Sequence, residues 1–390
     1  MIKEKTKAVP EEIRDIVAQF AVSGEVTETE QIKKGYINRT YCVTLDDGGR
    51  KTKYTLQRIN TDVFPDVDML MDNFFKVTEH LRDTFILPGA GEMGSVQRVI
   101  LTHDGKPYCR AESGCWRLLS HFTDVYSVDI PEKPEDFYYA GRAFGKFAQK
   151  MSDVPVCKIG EVIKNFHNTY SRYCDLERSI EKDPVGRVSS VTKEIEFVRS
   201  NKKLFPLISD ALDCGRIPLR ICHNDCNLNN ILFDVRSRLP VAVIDLDTVM
   251  PGTLLYDYGD SMRIGTNTAK DDEKDLTKVH CDLSLYALYA RGYLESAGMM
   301  MTEEELALLP FASLVITSED GIRFLMDYID GDTYYTTSYE GQNLDRSRTQ
   351  LTLLADMKAK LPEIKKILAD IYTELGLNGD PYKYSDIFGD

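Results

Sequence analysis

The first third of the chain alternates short apolar runs with turn-forming residues, a pattern typical of β-strands. Residues 27–35, 39–45 and 51–59 each read as one strand. The last two are separated by DDGGR (46–50), in which Asp-Gly and Gly-Gly accept the positive φ angles of a tight turn. The pattern therefore predicts a β-hairpin within an antiparallel sheet.

One helix interrupts these strands. Between residues 64 and 81, apolar side chains recur at helical spacing and form a single buried stripe: Val67, Leu70, Met71, Phe74, Val77 and Leu81. Two further strands are predicted at 95–102 and 108–122, on either side of an HDGK turn. Strands and one helix thus account for residues 1–122.

Beyond residue 134 the apolar pattern changes to the longer period of amphipathic helices. Helices are predicted over four stretches: 135–151, 274–297, 302–328 and 345–375. The polar segment 123–134, which contains two prolines, separates the two patterns. We therefore predict an α+β protein with three parts: an N-terminal lobe (1–122), a hinge (123–134) and a larger, mainly helical C-terminal lobe (135–390).

Composition and charge exclude several classes of protein. The chain has 390 residues, 43% of them hydrophobic, which is enough for two lobes with substantial cores. Its net charge of -14 argues against a nucleic-acid ligand, because binding to a phosphate backbone requires a basic face. The longest uncharged apolar stretch, 306–317, is too short to span a membrane. Nine scattered cysteines favour reduced thiols, so we expect a cytoplasmic protein.

The candidate functional site is a polar segment inside the helical lobe, RICHNDCNLNNILFDVRSRLPVAVIDLD (220–247). Its runs NILF and VAVID read as the two strands of a hairpin. If the hairpin is centred between Ser237 and Arg238, Asn230 faces Asp245 and their Cβ atoms lie about 5 Å apart. A carboxylate and an amide oxygen suit Mg²⁺ when room remains for water and phosphate. We therefore expect Asn230 and Asp245 to share one magnesium ion.

Asp225 completes this pattern. The spacing His223-x-Asp225-x4-Asn230, followed by Asp245, has the order found in protein kinases, where a loop Asp orients the attacking hydroxyl and an Asn and a later Asp bind metal. Asp225 is therefore the candidate catalytic residue. His223 is expected to support the loop through hydrogen bonds.

With these residues the chain resembles the aminoglycoside phosphotransferase and choline kinase superfamily, whose members carry HxDxxxxN and a following aspartate. Four longer blocks narrow the resemblance to bacterial N-acetylhexosamine 1-kinases: CHNDCNLNNILF, IDLDTVMPGTLLYDYGDSMR, DEKDLTKVH and RFLMDYIDGDTYY. The resemblance implies a bilobal protein-kinase-like fold, with an N-terminal antiparallel sheet plus helix. It also implies ATP, Mg²⁺ and transfer of phosphate to the anomeric hydroxyl of N-acetylglucosamine or N-acetylgalactosamine.

The resemblance also implies where the nucleotide binds. Leu119 and His121 lie in the segment expected against the adenine, and Asn230 contacts the nucleotide as well as the metal. Gln57 aligns with the strand lysine that contacts the phosphates in kinases, and the chain has no GxGxxG loop. The residue that supplies the missing positive charge stays open, as does the choice between ATP and GTP.

On the substrate side, the resemblance implies four sugar-binding residues: Tyr36, Asn38, Arg323 and Tyr334. Tyr36 stands where the closest relatives are expected to carry histidine, which leaves the preferred sugar open. Arg323 offers five donors to ring and acetamido oxygens. Its alternative role is a salt bridge within its own helix, to Asp327 or Asp330.

Other interpretations of the chain stay open. The acceptor could be another small hydroxyl compound, such as choline, homoserine, an aminoglycoside or another hexose, and a non-catalytic pseudokinase is the more distant alternative. Asp257 and Asp260 are expected to cap a helix or to anchor a loop rather than to bind metal. The role of Asp247 and the oligomeric state are undecided.

Overall fold

An antiparallel sheet with two helices forms the first part of the molecule. The computed structural model describes residues 9–32, 37–84, 95–385 and 387–388. In chain order the elements of this part are α1 (Glu11–Val17), β1 (Glu25–Ile32), β2 (Arg39–Asp47), β3 (Arg50–Arg58), α2 (Val67–Thr84), β4 (Val99–Ile100), β5 (Cys109–Ala111) and β6 (Gly114–Ser120). The strands lie in the order β1, β2, β3, β6, β4, and β5 also pairs with β6. The predicted N-terminal sheet is confirmed.

The hairpin of β2 and β3 forms as its turn residues predict. Gly48 and Gly49 take φ angles of 60° and 95°, which a residue with a Cβ atom rarely adopts. Alternation along the strands buries Val43 and Leu56 completely on one face. That face packs against the apolar side of α1, a helix that the sequence pattern did not predict.

Other predicted boundaries in this part differ from the structure. Of the strand predicted at 95–102, only β4 pairs in the sheet, and the stretch 108–122 divides into β5 and β6 around a tight turn. The turn requires Gly114, whose φ is 127°. The end of the strand predicted at 27–35, together with Tyr36, lies outside the described residues.

Helices dominate the rest of the chain, as predicted. In chain order the elements are β7 (Val125–Tyr126), α3 (Pro134–Met151), α4 (Thr169–Lys182), α5 (Thr192–Ser200), α6 (Leu207–Asp213), β8 (Arg220–Cys222), β9 (Ile231–Asp234), β10 (Pro240–Val243), β11 (Met250–Gly252), α7 (Leu254–Gly265), α8 (Leu283–Ala297), α9 (Glu303–Ile329), α10 (Gln342–Ala359) and α11 (Leu361–Leu375). The short strands form two small sheets, β10-β9-β7 and β11-β8. Within the described ranges, none of the helices is both long and apolar enough to cross a bilayer.

Helices α3 and α8 pack at very short range through glycines. A Cβ atom on Gly141 of α3 would lie 2.3 Å from the Tyr289 carbonyl oxygen, and one on Gly292 of α8 would lie 2.1 Å from that of Tyr138. Real atoms do not approach so closely, so both positions require glycine. The two helices form one side of the core that supports the polar loops between the short strands.

Two helical predictions need correction, and the predicted hinge contains a strand. The stretch 274–297 becomes helical only at Leu283, because Asp282 caps that helix by accepting hydrogen bonds from two backbone N–H groups. The stretch 345–375 divides into α10 and α11, with Pro362 in the first turn of α11. Within the segment 123–134, β7 pairs with β9 of the helical part.

Candidate active site

The loop 223–230 joins β8 to β9 and carries Asp225, and two aspartates of α7 fix its backbone. Asp257 accepts hydrogen bonds from two consecutive N–H groups at the start of the loop, at 2.9 and 2.7 Å. Asp260 accepts one from the N–H that follows Asp225, at 2.9 Å. The predicted loop-anchoring role of both aspartates is confirmed, whereas the helix cap is Thr253.

The side chain of His223 supports the loop through packing and a hydrogen bond. It is fully buried, and the rings of Phe144 and Phe147 contact it edge-on. Burial lowers its pKa to about 4, so the imidazole is neutral near pH 7. Its Nε2 lies 3.0 Å from the Ile244 carbonyl oxygen and donates to it. As predicted, His223 is a structural hydrogen-bonding group.

Amide groups hold the carboxylate of Asp225 in place. Asn227 Nδ2 donates to one carboxylate oxygen, and Asn230 Nδ2 donates to the other at 3.1 Å. Burial raises the pKa of Asp225, and the nearby carboxylates of Asp260 and Asp245 raise it further. Asp225 therefore holds a proton more readily than an ordinary aspartate does, a property suited to a group that receives one.

The hairpin of β9 and β10 has a different register from the predicted one. The Ile244 N–H donates to the Asn230 carbonyl oxygen at 2.9 Å, so that Asn230 faces Ile244 rather than Asp245. The prediction is wrong because the hairpin is centred one residue earlier than expected, as the pair Pro240–Phe233 shows. The irregularity that follows Pro240 then recovers part of the shift and leaves an error of one residue. Asp245 nevertheless follows directly on the residue that pairs with Asn230.

Asp245 leaves the strand in a left-handed turn. Its φ of 60° is uncommon for a residue other than glycine. Desolvation by the surrounding protein raises its pKa, and the neighbouring Asp247 carboxylate adds to the effect, although the Asp245 side chain remains exposed to solvent. The turn thus presents an open carboxylate at the edge of the loop that carries Asp225.

Asn230 and Asp245 offer a donor set that fits a divalent cation. The amide nitrogen of Asn230 points at the Asp225 backbone oxygen (2.9 Å) and carboxylate, which directs its Oδ1 elsewhere. One amide oxygen and one open carboxylate are hard ligands, and Mg²⁺ completes such a set with water and phosphate. No group of three His, Cys, Asp or Glu side chains within the described ranges could hold an ion alone.

Gln57 and Asn38 lie near this site, but protein groups occupy their amides. Gln57 Oε1 accepts a hydrogen bond from Arg117 Nε at 2.8 Å, and its Nε2 donates to Thr40 Oγ1 at 3.1 Å. Asn38 Nδ2 donates to Asp247 Oδ2 at 2.6 Å. Arg117 was missed at the sequence level, because one arginine in a strand normally faces solvent.

The segment expected against the adenine lies at the end of β6. The Leu119 side chain is buried in the core, whereas His121 is half-buried and its Nδ1 lies 2.9 Å from Thr55 Oγ1. Burial lowers the pKa of His121, and the positive charge of Lys53 lowers it further. A half-buried imidazole that is neutral near pH 7 can pack against a planar base.

Arg323 lies on α9, and neither of the two aspartates considered as alternative partners pairs with it. Asp327 instead accepts hydrogen bonds from the backbone N–H groups of residues 333–335, and Asp330 accepts one from a serine of α4. The partner of Arg323 is Asp320, at 3.6 Å, and its guanidinium lies 5.5 Å from the centre of the Tyr335 ring. The alternative of a salt bridge within the same helix is thus observed, but with a different aspartate from the two considered.

A chain of ion pairs connects Arg323 to the loop of Asp225. Asp320 also pairs with Arg263 at 3.0 Å, and Arg263 pairs with Asp260 at 2.9 Å. Asp260 anchors the backbone next to Asp225. Tyr334, the other expected sugar contact on this side, is 71% exposed and stacks edge-on against Tyr335.

His167 is a second buried residue that the sequence did not reveal. Its Nε2 donates to the Asn224 carbonyl oxygen at 2.9 Å, and its Nδ1 lies 3.1 Å from Glu319 Oε1. Burial alone would lower the pKa of His167, but the Glu319 carboxylate outweighs it and raises the pKa to about 9. An imidazolium therefore supports the backbone one residue before Asp225.

The kinase-like fold and the loop that carries Asp225 together identify a small-molecule phosphotransferase. The chain belongs to the phosphotransferase enzyme family, whose profile matches residues 28–293.

Several solved structures share the fold. An aminoglycoside phosphotransferase from Alicyclobacillus acidocaldarius is 12% identical, with a TM-score of 0.59 over 94% of this chain and 98% of that one. A spectinomycin phosphotransferase in complex with ADP and spectinomycin is 11% identical, with a TM-score of 0.57 over 92% of this chain and all of the other. Choline kinase from Cryptosporidium parvum is 15% identical, with a TM-score of 0.53 over 88% and 93% of the two chains. At these identities the likeness establishes the fold alone.

Proposed function

We propose that this protein transfers the γ-phosphoryl group of ATP to the anomeric hydroxyl of an N-acetylhexosamine, giving the sugar 1-phosphate and ADP. The observation that carries the proposal is the environment of Asp225, whose carboxylate accepts a hydrogen bond from the Asn230 amide and lies close enough to Asp245 for that carboxylate to raise its pKa. The sequence blocks that resemble N-acetylhexosamine 1-kinases supply the choice of acceptor.

Asp225 would orient the acceptor and receive its proton. In the transfer, a bond forms between the sugar oxygen and the γ-phosphorus, and the bond from that phosphorus to the β,γ-bridging oxygen breaks. An anomeric hydroxyl is more acidic than an ordinary alcohol, so a carboxylate that accepts its hydrogen bond is sufficient as the base. Most of the rate enhancement then comes from alignment and from neutralised phosphate charge.

Asn230 and Asp245 would hold Mg²⁺ on the triphosphate. The ion would supply positive charge to the phosphate oxygens when bound. The adenine would lie along the segment 119–122, beside His121. Contact of Gln57 with the phosphates stays a prediction, and its bonds to Arg117 and Thr40 support a bridging role instead.

The sugar would lie between the loop of Asp225 and the 323–335 segment. Arg323 and Tyr334 are the proposed contacts there, and the chain of ion pairs from Arg323 to Asp260 supports that location. Asn38 would approach from the N-terminal part, and Tyr36, outside the described residues, stays a predicted contact. The nine cysteines are free thiols, which supports a cytoplasmic location within the same proposal.

A cationic acceptor, such as choline or an aminoglycoside, is the second candidate. Two carboxylates favour it: Asp320 pairs with Arg323, and Asp271 lies close enough to Asp320 for the two to interact. These acids are already balanced by Arg263 and Arg346, so a cation would have to compete with fixed guanidinium groups. We therefore place the neutral sugar first.

Release of ADP with a panel of acceptors tests the proposal. The purified chain, ATP and Mg²⁺ are incubated with N-acetylglucosamine, N-acetylgalactosamine, glucose, galactose, choline, homoserine and an aminoglycoside. We expect ADP release to depend on an N-acetylhexosamine. Faster release with a cationic compound would favour the second candidate, and bound MgATP without turnover on any acceptor would indicate a pseudokinase.

A further inference from the structure

A charged residue lies in the interior between the two parts of the molecule. Arg117, on β6, is 1% exposed. Its Nη1 and Nη2 both donate to Asp247, the second at 2.9 Å, and its Nε donates to Gln57 at 2.8 Å. The guanidinium carbon lies 4.4 Å from the centre of the Phe74 ring on α2. One side chain thus contacts β3, α2 and the turn after β10.

The Asp247 carboxylate is held entirely from the N-terminal part. Besides the two bonds from Arg117, its Oδ2 accepts a bond from Asn38 Nδ2 at 2.6 Å. Asn38 is itself fixed, because its Oδ1 accepts a hydrogen bond from the Asn60 N–H at 3.0 Å. Both oxygens of Asp247 thus accept hydrogen bonds from the N-terminal part.

Asp247 lies in the turn that presents Asp245. The three residues of this turn, Leu246 to Thr248, are all buried, and Asp245 precedes them with its φ of 60°. A left-handed conformation in a residue other than glycine persists only where the surroundings hold it. The bonds from Arg117 to Asp247 provide such support two residues away.

We propose that Arg117 is a positioning residue, which acts through Asp247 to hold Asp245 in its cation-binding conformation. The inference rests on the proposed metal site of Asn230 and Asp245. Arg117 is also the residue opposite Gln57 on the neighbouring strand, and in this proposal its charge fixes the metal-binding turn.

Binding of Mn²⁺ in the presence of β,γ-methylene-ATP tests this role. The dissociation constant is read from free Mn²⁺ by electron paramagnetic resonance, at a temperature where circular dichroism shows each variant to be folded. We expect Arg117→Met to raise the constant at least tenfold. Asp245→Ala, which removes a proposed ligand, sets the scale of the effect.

Arg220→Met provides the matched control. Arg220 also forms a two-bond ion pair with a buried carboxylate, to Glu305 at 2.8 Å for both contacts, but that pair joins β8 to α9. The control should lower the melting temperature and leave the Mn²⁺ constant within twofold of the wild type. If Arg117→Met does not fold, Arg117→Lys keeps the charge without the two-bond geometry, and it should weaken binding threefold or more.

Unchanged Mn²⁺ binding in a folded Arg117 variant would overturn the inference. The measurement needs no acceptor, so its result is separate from the choice of sugar. Wild-type protein that binds Mn²⁺ with the nucleotide but phosphorylates no hexosamine would remove the acceptor assignment and leave the Arg117 inference in place.

Discussion

At the residue scale, Asp225 is the group on which the chemistry depends. Its carboxylate is partly desolvated, and two other carboxylates raise its pKa. The folded state therefore disfavours the ionised form, which is a cost in stability that a catalytic role accounts for.

Asp225→Asn should separate activity from stability. We expect kcat to fall by about two to four orders of magnitude, because no carboxylate remains to accept the proton. The melting temperature above pH 5 should stay the same or rise, since a disfavoured charge is removed. Steady-state kinetics and calorimetry check both effects, and full activity in the variant would exclude the assigned role.

His167 gives a second prediction at this scale. Its pKa is raised from 6.5 to about 9 in the folded protein, so the stability that it contributes is fully present below pH 6.5. This contribution is lost as the pH rises towards 9, and it amounts to about 3 kcal/mol at 1.36 kcal/mol per pKa unit. Urea unfolding of wild type and His167→Gln should therefore differ more at pH 6.5 than at pH 9.

The exposed His280 is the control for this experiment, because its side chain is 54% accessible. His280→Gln should change the unfolding free energy little at either pH. An effect of His167→Gln that is equal at both pH values would mean that His167 is not the charged partner of Glu319.

Sequence reasoning at this scale found the residues whose spacing carries a known chemical order. Asp225, Asn230 and Asp245 lie within one short segment, so their spacing alone was enough to identify them as a group. Arg117 and His167 act across 130 and 57 residues of chain, on Asp247 and on the Asn224 carbonyl. A single sequence contains no signal for such pairs.

At the element scale, the crossing of α3 and α8 sets the position of the helices under the loops. Gly141→Ala would place a Cβ atom 2.3 Å from a backbone oxygen of α8. We expect a loss of about 1–3 kcal/mol in the free energy of unfolding, as for other overpacked interiors. Gln149→Ala, at an exposed position of α3, is the control and should be near neutral in a denaturant titration.

Long elements were predicted well and short ones poorly. Helices α3 and α9 were predicted within a residue or two, since many periodic apolar positions define them. The register of β9 and β10 was wrong by one residue because the turn lies earlier than predicted, and an irregularity in the ladder corrects only part of that shift. Capping by Asp282 likewise moved a helix start by several residues.

At the scale of the whole molecule, the predicted division into a sheet-rich first part and a helical second part is confirmed. The two parts meet at the site: the first supplies Arg117, Gln57 and Asn38, and the second supplies Asp225 and the 245–248 turn. Period-2 and helical patterns made the division visible in the sequence. The contacts between the parts depend on side-chain placement that no local pattern records.

The identity of the product tests the central claim most directly. Phosphorus NMR of a reaction with N-acetylglucosamine or N-acetylgalactosamine, ATP and Mg²⁺ distinguishes a phosphate on the anomeric oxygen by its coupling to the anomeric proton. We predict a new signal with that coupling, formed by the wild type and absent with Asp225→Asn. A phosphate on any other hydroxyl, or equal product from Asp225→Asn, would contradict the account.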